Sequence, residues 1–308
     1  MSSEKPSTSS SARNPHTAIQ DLLPTDDLGE IPTTSDWCQR WRGKRHSWRH
    51  LSEGGFDARR YVVELSPEKE TKGFVLEHHY SGSFPSARFR FGLYDIGAGK
   101  AQLRGVAVFG VPVTAAVLTR PLPDLQPYVE SLECSRFVLV DEVPANAESW
   151  FLARCFDELL VLGVRGVVSF ADPVPRRDAS GALVAVGHVG TIYQATNAVY
   201  MGRATPRTVK LLPNGVVLNE RMAQKVRRQE QGHEYAEKLL VRLGAPVLRA
   251  GADPKVWLRE ALVTVGARNL RHRGVHRFVY RLGRNRRERE RIRLGLPTVS
   301  AYPKTPDT

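Results

Sequence analysis

The sequence predicts an α/β fold in which a mixed central sheet is flanked by helices. Strand-like and helix-like runs alternate between residues 58 and 218, and the first strands follow one another as they would in an antiparallel start. The run LECSRFVLVD at 132–141 is apolar enough to be a central strand. No unit of 20 to 50 residues repeats, which argues against a solenoid or propeller.

The first two segments of the chain precede this α/β region. Residues 1–34 are rich in Ser, Thr, Pro and Asp and poor in large apolar groups, so we expect a disordered arm. Residues 35–57 alternate tryptophans with basic side chains, and Trp37 and Trp41 would share one face of a helix. Such a segment could stack on nucleic-acid bases, or it could be a short amphipathic helix that packs on the core.

The main folded domain is predicted at 58–218. It starts with a strand at 60–65, a helix at 66–78 that Ser66 would cap, with Pro67 at its first position, and a loop at 79–85. The remaining predicted elements follow in order: strands at 88–95, 102–112 and 132–141, a long helix at 147–162, a strand at 167–170, a loop of about seventeen residues, and a short helix, turn and final strand at 187–202.

The last segment, 219–308, is predicted to be a basic and mainly helical extension, with helices at 219–243, 254–265 and 281–294. Residues 203–308 hold 24 Lys+Arg and 9 Asp+Glu, a net charge of +15, whereas residues 1–202 carry a net charge of −2. Clustered arginines suit bidentate contacts with phosphates and indicate a nucleic-acid surface. The alternative is a solvated tail, or one paired with acidic patches of the chain.

Composition excludes several classes of protein. The 308 residues are 41% hydrophobic and 25% charged, as in ordinary globular proteins. No run is long and apolar enough for a membrane span or a secretory signal, so we expect a soluble protein of the cytoplasm that does not bind membranes. The three cysteines, Cys38, Cys134 and Cys155, predict neither a disulfide framework nor a zinc site. The phosphate-loop, dinucleotide-binding, nucleophile-elbow and zincin motifs are missing from the sequence.

Four polar clusters could carry chemistry. The first is the pair His78 and His79 with Tyr80, which offers metal ligands or proton-transfer groups, or two ordinary histidines. In the second, Asn146 fits a helix cap, and Glu148 and Ser149 lie beside free N–H groups that could bind phosphate.

The other two clusters lie further along the chain. Asp172 follows an apolar strand, where α/β sheets bind ligands, although it could equally be a plain loop residue. The run GHVGTIYQATNAVYMG at 187–202 concentrates polar groups on a short helix: His188, Thr191, Tyr193, Gln194 and Asn197.

The chain resembles the Mom family of bacteriophage DNA-modification proteins, a divergent branch of the GNAT acyltransferases. The resemblance rests on motifs that follow in order over about 60–283: EHHYSGSFP, LECSRFVLVD followed by PANAESWFLAR, VVSFADP, GHVGTIYQATNAVYMG and HRFVYRLG. Most GNAT enzymes carry a glycine-containing pyrophosphate loop, Q/R-x-x-G-x-G/A, before the long helix, whereas this chain reads VPANAES there.

The resemblance implies an enzyme that modifies the exocyclic amine of adenine in DNA with an acetamido or methylcarbamoyl group and so protects phage DNA from restriction. Acetyl-CoA is the implied donor, and Fe(II) is a further requirement suggested for the family. The implied catalytic residues are His79, Tyr80, Ser149, Asp172 and Tyr193, with Tyr193 as the acid that protonates the departing thiolate. His79, Tyr80 and Asp172 would hold the iron.

Two further sets of residues complete this interpretation. Those expected to bind the cofactor are Arg136, Val138, Leu139, Val140, Asn146, Ala147, Glu148 and Asn197. Those expected to bind DNA are Arg271, Arg273, Arg277, Arg281, Arg284, Arg286 and Arg287. Two alternatives remain at this point: a GNAT-type transferase that acts on RNA or on a protein amine, and a DNA-binding protein without catalytic activity on the same scaffold. The sequence leaves the oligomeric state open.

Overall fold

The computed structural model describes residues 36–43, 45–79, 81, 83–97 and 99–307. The predicted disordered arm, 1–34, lies outside them. In chain order the strands are β1 Trp37–Arg42, β2 Arg45–His50, β3 Tyr61–Leu65, β4 Ala87–Asp95, β5 Gln102–Gly110, β6 Ser131–Leu139, β7 Gly166–Ala171, β8 Arg176–Arg177, β9 Leu183–Ala185, β10 Val199–Arg203, β11 Arg207–Leu211, β12 Val217–Leu218, β13 Arg268–His272 and β14 His276–Arg281. The helices are α1 Glu68–His78, α2 Ala116–Thr119, α3 Ala147–Val161, α4 Thr191–Ala195, α5 Glu220–Arg228, α6 Glu234–Arg242, α7 Pro254–Thr264 and α8 Arg286–Glu290.

Seven strands form the central sheet in the order β10-β14-β7-β6-β5-β4-β3. Neighbouring strands are antiparallel except for β6 and β7, which are parallel. The predicted mixed sheet is therefore confirmed. The prediction that 132–141 forms a central strand is confirmed as well, because β6 is the middle strand of the seven.

The parallel pair separates halfway along β6. Residues 131–134 of β6 pair with residues 166–169 of β7, while 135–139 keep only their pairing with β5. Trp41 of β1 forms a parallel bridge to Val140. The Val140 amide bonds to Arg104 on the β5 side, so Trp41 lies on the side that β7 has left. The β1–β2 hairpin thus borders the gap between β6 and β7.

Helices cover both faces of the sheet. On one face, the buried stripe of α3, including Phe151, Leu152 and Cys155, packs on Ala107 and Phe109 of β5 in the main core. On the other face, Val75 of α1 and Trp41 pack with the side chains that alternate with these along β5, such as Val106 and Val108. None of the described helices combines the length and hydrophobicity that a transmembrane helix needs.

Three local predictions are wrong. The Trp37–Trp41 segment is a hairpin strand rather than a helix; residues four apart share a face in a strand too, so the spacing did not distinguish the two. Ser66 does not cap α1, because its Oγ accepts a hydrogen bond from the Tyr94 hydroxyl (2.7 Å). Asn146 occupies the position before α3 with a left-handed backbone (φ 69°), and its side chain makes no capping hydrogen bond.

The C-terminal segment returns to the sheet, which the sequence did not predict. Strand β14 lies between β10 and β7, so the predicted final strand, now β10, is an edge strand and the predicted helix 281–294 shrinks to α8. The predicted helix 219–243 is broken into α5 and α6 by a turn in which Gln229 has φ 51°.

Residues 204–275 connect the neighbouring strands β10 and β14, and we call them the inserted subdomain. They contain the three-stranded sheet β12-β11-β13 and the helices α5, α6 and α7 around a separate hydrophobic cluster that includes Leu240, Trp257 and Leu258. The predicted boundary between residues 218 and 219 falls inside this subdomain.

Candidate active site

A polar site lies where the carboxyl ends of β6 and β7 part. Five segments of the chain bring side chains to it: the β1–β2 hairpin, the loop after α1, β6, the loop after β7, and the β13–β14 region. The residues concerned are Trp41, His79, Glu133, Arg136, Asp172, Arg176, His188, His272 and His276.

His79 is held as a neutral imidazole. Its Nδ1 accepts a hydrogen bond from the Ser81 amide (3.1 Å), which places the ring proton on Nε2. The ring stacks on Trp41 with the centroids 6.1 Å apart. Burial, together with the positive charges of Arg136 and His188, lowers the pKa of His79 to about 3. At neutral pH the group is therefore a hydrogen-bond donor through Nε2 and carries no charge.

Arg136 ties the loop after α1 to the central strand. Its Nε donates to the Ser83 carbonyl (3.2 Å), and its Nη2 donates to the Ser83 hydroxyl (3.0 Å). Glu133 lies on the same strand, and burial raises the pKa of its carboxyl against the opposing charge of Arg136. A carboxylate with a raised pKa is a better proton acceptor near neutral pH than an exposed one. The sequence analysis missed Glu133, because a single acid in an apolar strand gives no signal.

Asp172 is paired with a histidine from the inserted subdomain. Its Oδ1 accepts hydrogen bonds from His272 Nε2 (2.9 Å) and from the Val174 amide (3.1 Å). Burial would raise the pKa of Asp172, but these bonds and the charge of Arg176 outweigh burial and lower it. His272 Nδ1 accepts from the Gly274 amide (3.0 Å), so the His272 proton sits on Nε2 and points at the carboxylate.

A second histidine, His276 at the start of β14, lies beside this pair. Its Nδ1 is 2.7 Å from the Tyr200 hydroxyl, and burial lowers its pKa to about 4. Its Nε2 is buried and has no hydrogen-bond partner among the described residues. The sequence analysis missed both His272 and His276; the alternation of Arg271, His272 and Arg273 was the available signal, since it places one side chain inward and two outward.

The cavity at this site is small. Between Trp41, Asp172, Arg176 and the 185–188 segment there is a cavity of about 10 Å³, which is room for a single water molecule. The Asp172 side chain is nevertheless 28% exposed, so its carboxylate is partly accessible from solvent.

A larger cleft of about 680 Å³ runs along α3 towards α4 and the end of β14. It is lined by Ser149 and Asn197, predicted as catalytic and cofactor residues, and by three arginines, of which Arg281 and Arg286 were predicted to bind DNA and Arg289 was not. The Ser149 hydroxyl donates to the Asn146 carbonyl (3.2 Å) at the helix start. This cleft, and not the small cavity, has the size of a cofactor site.

The predicted phosphate-binding loop before α3 is bound to an arginine of the chain itself. The fully buried Arg40 forms an ion pair with Glu148 and donates to the carbonyls of Val143 (3.1 Å) and Pro144 (2.6 Å). Burial lowers the pKa of Arg40 to about 10, so it stays charged and needs these acceptors. Glu148 therefore neutralises Arg40, a pairing that the sequence did not predict, and its role as a cofactor ligand stays a prediction.

Four other predicted cofactor residues have buried side chains: Val138, Leu139, Val140 and Ala147. Their side chains belong to the hydrophobic core, so only their backbone groups could meet a ligand.

Tyr193 and His79 lie on opposite faces of the sheet. Tyr193 packs on Phe278 (5.3 Å between ring centroids) in the core on the α3 face, while His79 stacks on Trp41 on the other face. Only through the gap between β6 and β7 could one substrate reach both.

The predicted DNA-binding arginines form two groups at opposite ends of β14. Arg271 and Arg273 are exposed on either side of His272. Arg284, Arg286 and Arg287 are exposed beyond the other end of β14, roughly 20 Å away along six residues of strand.

Arg277 and Arg281 lie on β14 itself and are half-buried. The Arg277 guanidinium lies over the Phe170 ring at 6.0 Å, and Arg281 donates to the Ile292 carbonyl (3.4 Å). Their predicted role in DNA binding is less well supported by these positions than that of the exposed arginines.

The implied iron does not fit the described residues. They contain no group of three or more His, Cys, Asp or Glu side chains that could hold a metal ion. Tyr80, the third predicted ligand, lies outside the described residues. His79 cannot offer Nε2 to a metal while Nδ1 accepts the Ser81 amide proton. We therefore derive no step through a metal.

The fold and this site define an α/β protein with a polar site at the carboxyl edge of a central parallel strand pair. The chain belongs to the Mom protein family, whose sequence model matches residues 60–304. None of the curated protein sequences matches it.

Three solved structures are similar over part of the chain. A GNAT family N-acetyltransferase (YhbS) from Escherichia coli in complex with CoA has 12% identity over 40% of this chain and 68% of its own, with a TM-score of 0.26. A putative phosphinothricin N-acetyltransferase has 11% identity over 47% of this chain and 86% of its own, with a TM-score of 0.30. A tandem GNAT protein from the clavulanic acid biosynthesis pathway has 11% identity over 66% of this chain and 65% of its own, with a TM-score of 0.30.

Proposed function

We propose that this protein is a transferase that modifies the exocyclic amine of adenine in DNA, with acetyl-CoA as donor. The observation that carries the proposal is the membership of residues 60–304 in the Mom family, since the gap between β6 and β7 lies within that match. Acetyl transfer from the thioester would give an N-acetylated adenine, which carries an acetamido substituent on the purine ring. A methylcarbamoyl adduct (N–CH2–CO–NH2) would instead join the amine to the methyl carbon of the acetyl group, which requires a two-electron oxidant as well as a nitrogen donor. The mass of the nucleoside distinguishes the two.

The large cleft is the proposed place for the nucleotide part of the donor. Ser149 at the start of α3 and the exposed turn at Asn197 border it, and Arg281, Arg286 and Arg289 offer partners for phosphates. From there the thioester would enter the gap between β6 and β7. Because the cavity beside Asp172 holds only about one water molecule, the proposal includes a movement of Trp41 or of the 185–188 segment that enlarges it.

The residues at the gap can perform the transfer without a metal. The adenine nitrogen attacks the thioester carbon, the carbon–sulfur bond breaks, and the amine proton passes to a base, for which Glu133 is suited by its raised pKa. The Nε2–H of neutral His79 would donate to the thioester oxygen, which gains negative charge. Tyr193 would protonate the departing thiolate. The hydrogen-bonded Asp172–His272 pair would position the adenine.

DNA reaches this site only with the target base out of the duplex stack, which requires a firm hold on the backbone. The net charge of +15 over residues 203–308 supports such a hold.

The test is the nucleoside composition of DNA. Plasmid DNA incubated with the full chain and acetyl-CoA should give a deoxyadenosine of increased mass, and Glu133→Gln should reduce its yield at least about tenfold. Glu64→Gln, an exposed acid on β3, is the matched control and should leave the yield unchanged. Unmodified deoxyadenosine throughout, from folded protein, overturns the proposal; acetylated RNA or peptide without a DNA product would favour the other acceptors.

A further inference from the structure

We propose that the inserted subdomain docks duplex DNA with the outward face of its β11–β13 strand pair, next to the candidate active site. The inference rests on the proposed function, and it names the element and the surface that hold the substrate.

The inserted subdomain carries a large share of the positive charge of the chain. The inserted subdomain, 204–275, contains 14 Lys+Arg and 6 Asp+Glu, a net charge of +8, whereas residues 1–203 carry a net charge of −1. Among the described residues, only three of these lysines and arginines form ion pairs with acids: Arg221, Arg227 and Arg228. All three belong to α5, so the lysine and arginines of β11 and β13 are within ion-pair distance of no described acid.

The strand pair sorts its side chains by face. Lys210 of β11 and Asn269 of β13 are cross-strand partners that share the outer face, where the Lys210 ammonium bonds to the Asn269 amide oxygen (2.7 Å). Arg271, two residues further along β13, shares that face, and Arg273 follows with the same alternation. Both arginines are exposed, and neither lies within ion-pair distance of a described acid, although the charge of Arg273 contributes to the lowered pKa of Asp307. Two guanidinium groups at this spacing suit neighbouring phosphates of one DNA strand.

The same strand turns its next side chain into the active site. His272, between the two arginines, is buried and bonded to Asp172 at 2.9 Å. A phosphate held by Arg271 or Arg273 would therefore be bound by a direct neighbour of His272 in the chain. That places the DNA backbone close to the candidate active site, as an extruded nucleotide requires. At the far end of β14, Arg281, Arg286 and Arg289 border the large cleft, where the donor phosphates are proposed to bind, whereas Arg284 and Arg287 do not line it.

The experiment compares two matched charge reversals in the full chain. Binding of a labelled DNA duplex is measured without acetyl-CoA for Arg271→Glu/Arg273→Glu and for Arg284→Glu/Arg287→Glu, between about 50 and 200 mM salt. The first variant should bind the duplex at least about tenfold more weakly. Its plot of log affinity against log salt should be less steep by about two, because two phosphate contacts are lost. The second should stay within about threefold of the unaltered protein. If the charge reversal prevents folding, the same binding measurement is made with Arg271→Gln/Arg273→Gln, which changes the charge by a smaller amount.

An equal loss in both variants, a larger loss in the second, or no loss in either overturns the inference. Tighter binding of an RNA duplex than of DNA by the unaltered protein also overturns it, and assigns the surface to RNA. Because no catalysis is involved, a failure of DNA modification leaves this readout intact, and a failure here leaves the nucleoside test intact.

Discussion

The side chain of Arg40, in the first strand, is completely buried and forms an ion pair with Glu148 in the first turn of α3. The pair joins the β1–β2 hairpin to the loop that precedes the long helix. It explains why Glu148 is buried at a helix start where a ligand-binding group was expected. Since the hairpin also carries Trp41, the same contact holds the aromatic ring that lines the small cavity beside Asp172.

Removing one partner of this pair should destabilise the protein. Arg40→Met leaves the Glu148 carboxylate buried without its cation and removes the bonds to Val143 and Pro144, so we expect a loss of about 3–5 kcal/mol in the free energy of unfolding. Urea denaturation measures it. The double variant Arg40→Met/Glu148→Gln should recover at least half of the loss, and a double variant as unstable as the single one would contradict a dominant role for the uncompensated charge.

Asp172 and His272 should act as one unit. Asp172→Asn replaces the acceptor of the His272 proton, so it should lower the yield of modified adenine at least about tenfold, and His272→Gln should lower it by a similar factor. The double variant should be no worse than either single one. Nucleoside mass spectrometry and the melting temperature together check this, and additive losses in the double variant would show that the two residues act separately.

The buried histidines make stability depend on pH in a defined direction. The pKa values of His79 and His276 are lowered to about 3 and about 4, below those of the unfolded chain, so between about pH 6.5 and pH 4 the unfolded chain binds more protons. The free energy of unfolding should therefore fall as the pH drops through this window, by up to about 1.4 kcal/mol per pH unit for each histidine.

Urea denaturation at pH 7 and pH 5 measures this effect. His276→Gln should flatten the dependence, because it removes one of the two histidines with a lowered pKa. An unaltered pH dependence in His276→Gln would contradict the assignment.

The backbone at Gly187 is fitted closely to the loop after Asp172. Its φ is 69°, and a Cβ atom there would come within 2.8 Å of the Pro173 carbonyl oxygen. Gly187→Ala should therefore cost about 1–3 kcal/mol of stability and disturb the site. Gly244→Ala is the matched control, because that glycine also has a positive φ (106°) but nothing lies within 4 Å of the added atom. Equal losses in the two variants would mean that strain alone, without the close contact, explains the effect.

Much of the fold was predictable because it depends on local patterns. The apolar run at 132–141, the amphipathic stripe at 147–162 and the polar loops between strands each depend on side chains within a few residues of one another. The resemblance then directed attention to His79, Arg136 and Asp172, which the structure brings to one edge of the sheet. The pairing of β14 with β7 was not predictable in this way, because these strands are more than a hundred residues apart in the chain.

The sequence by itself determined the class of the fold, the position of the long helix and the separation of a near-neutral half from a basic one. Those properties follow from hydrophobic periodicity and charge, which are visible along the chain. Only the tertiary structure decided that Arg40 neutralises Glu148, that His272 reaches Asp172 from an inserted subdomain, and that the predicted arginines belong to two different surfaces. The physical reason is that a buried charge or proton donor takes the partner that folding brings within hydrogen-bonding distance, whatever its distance along the chain.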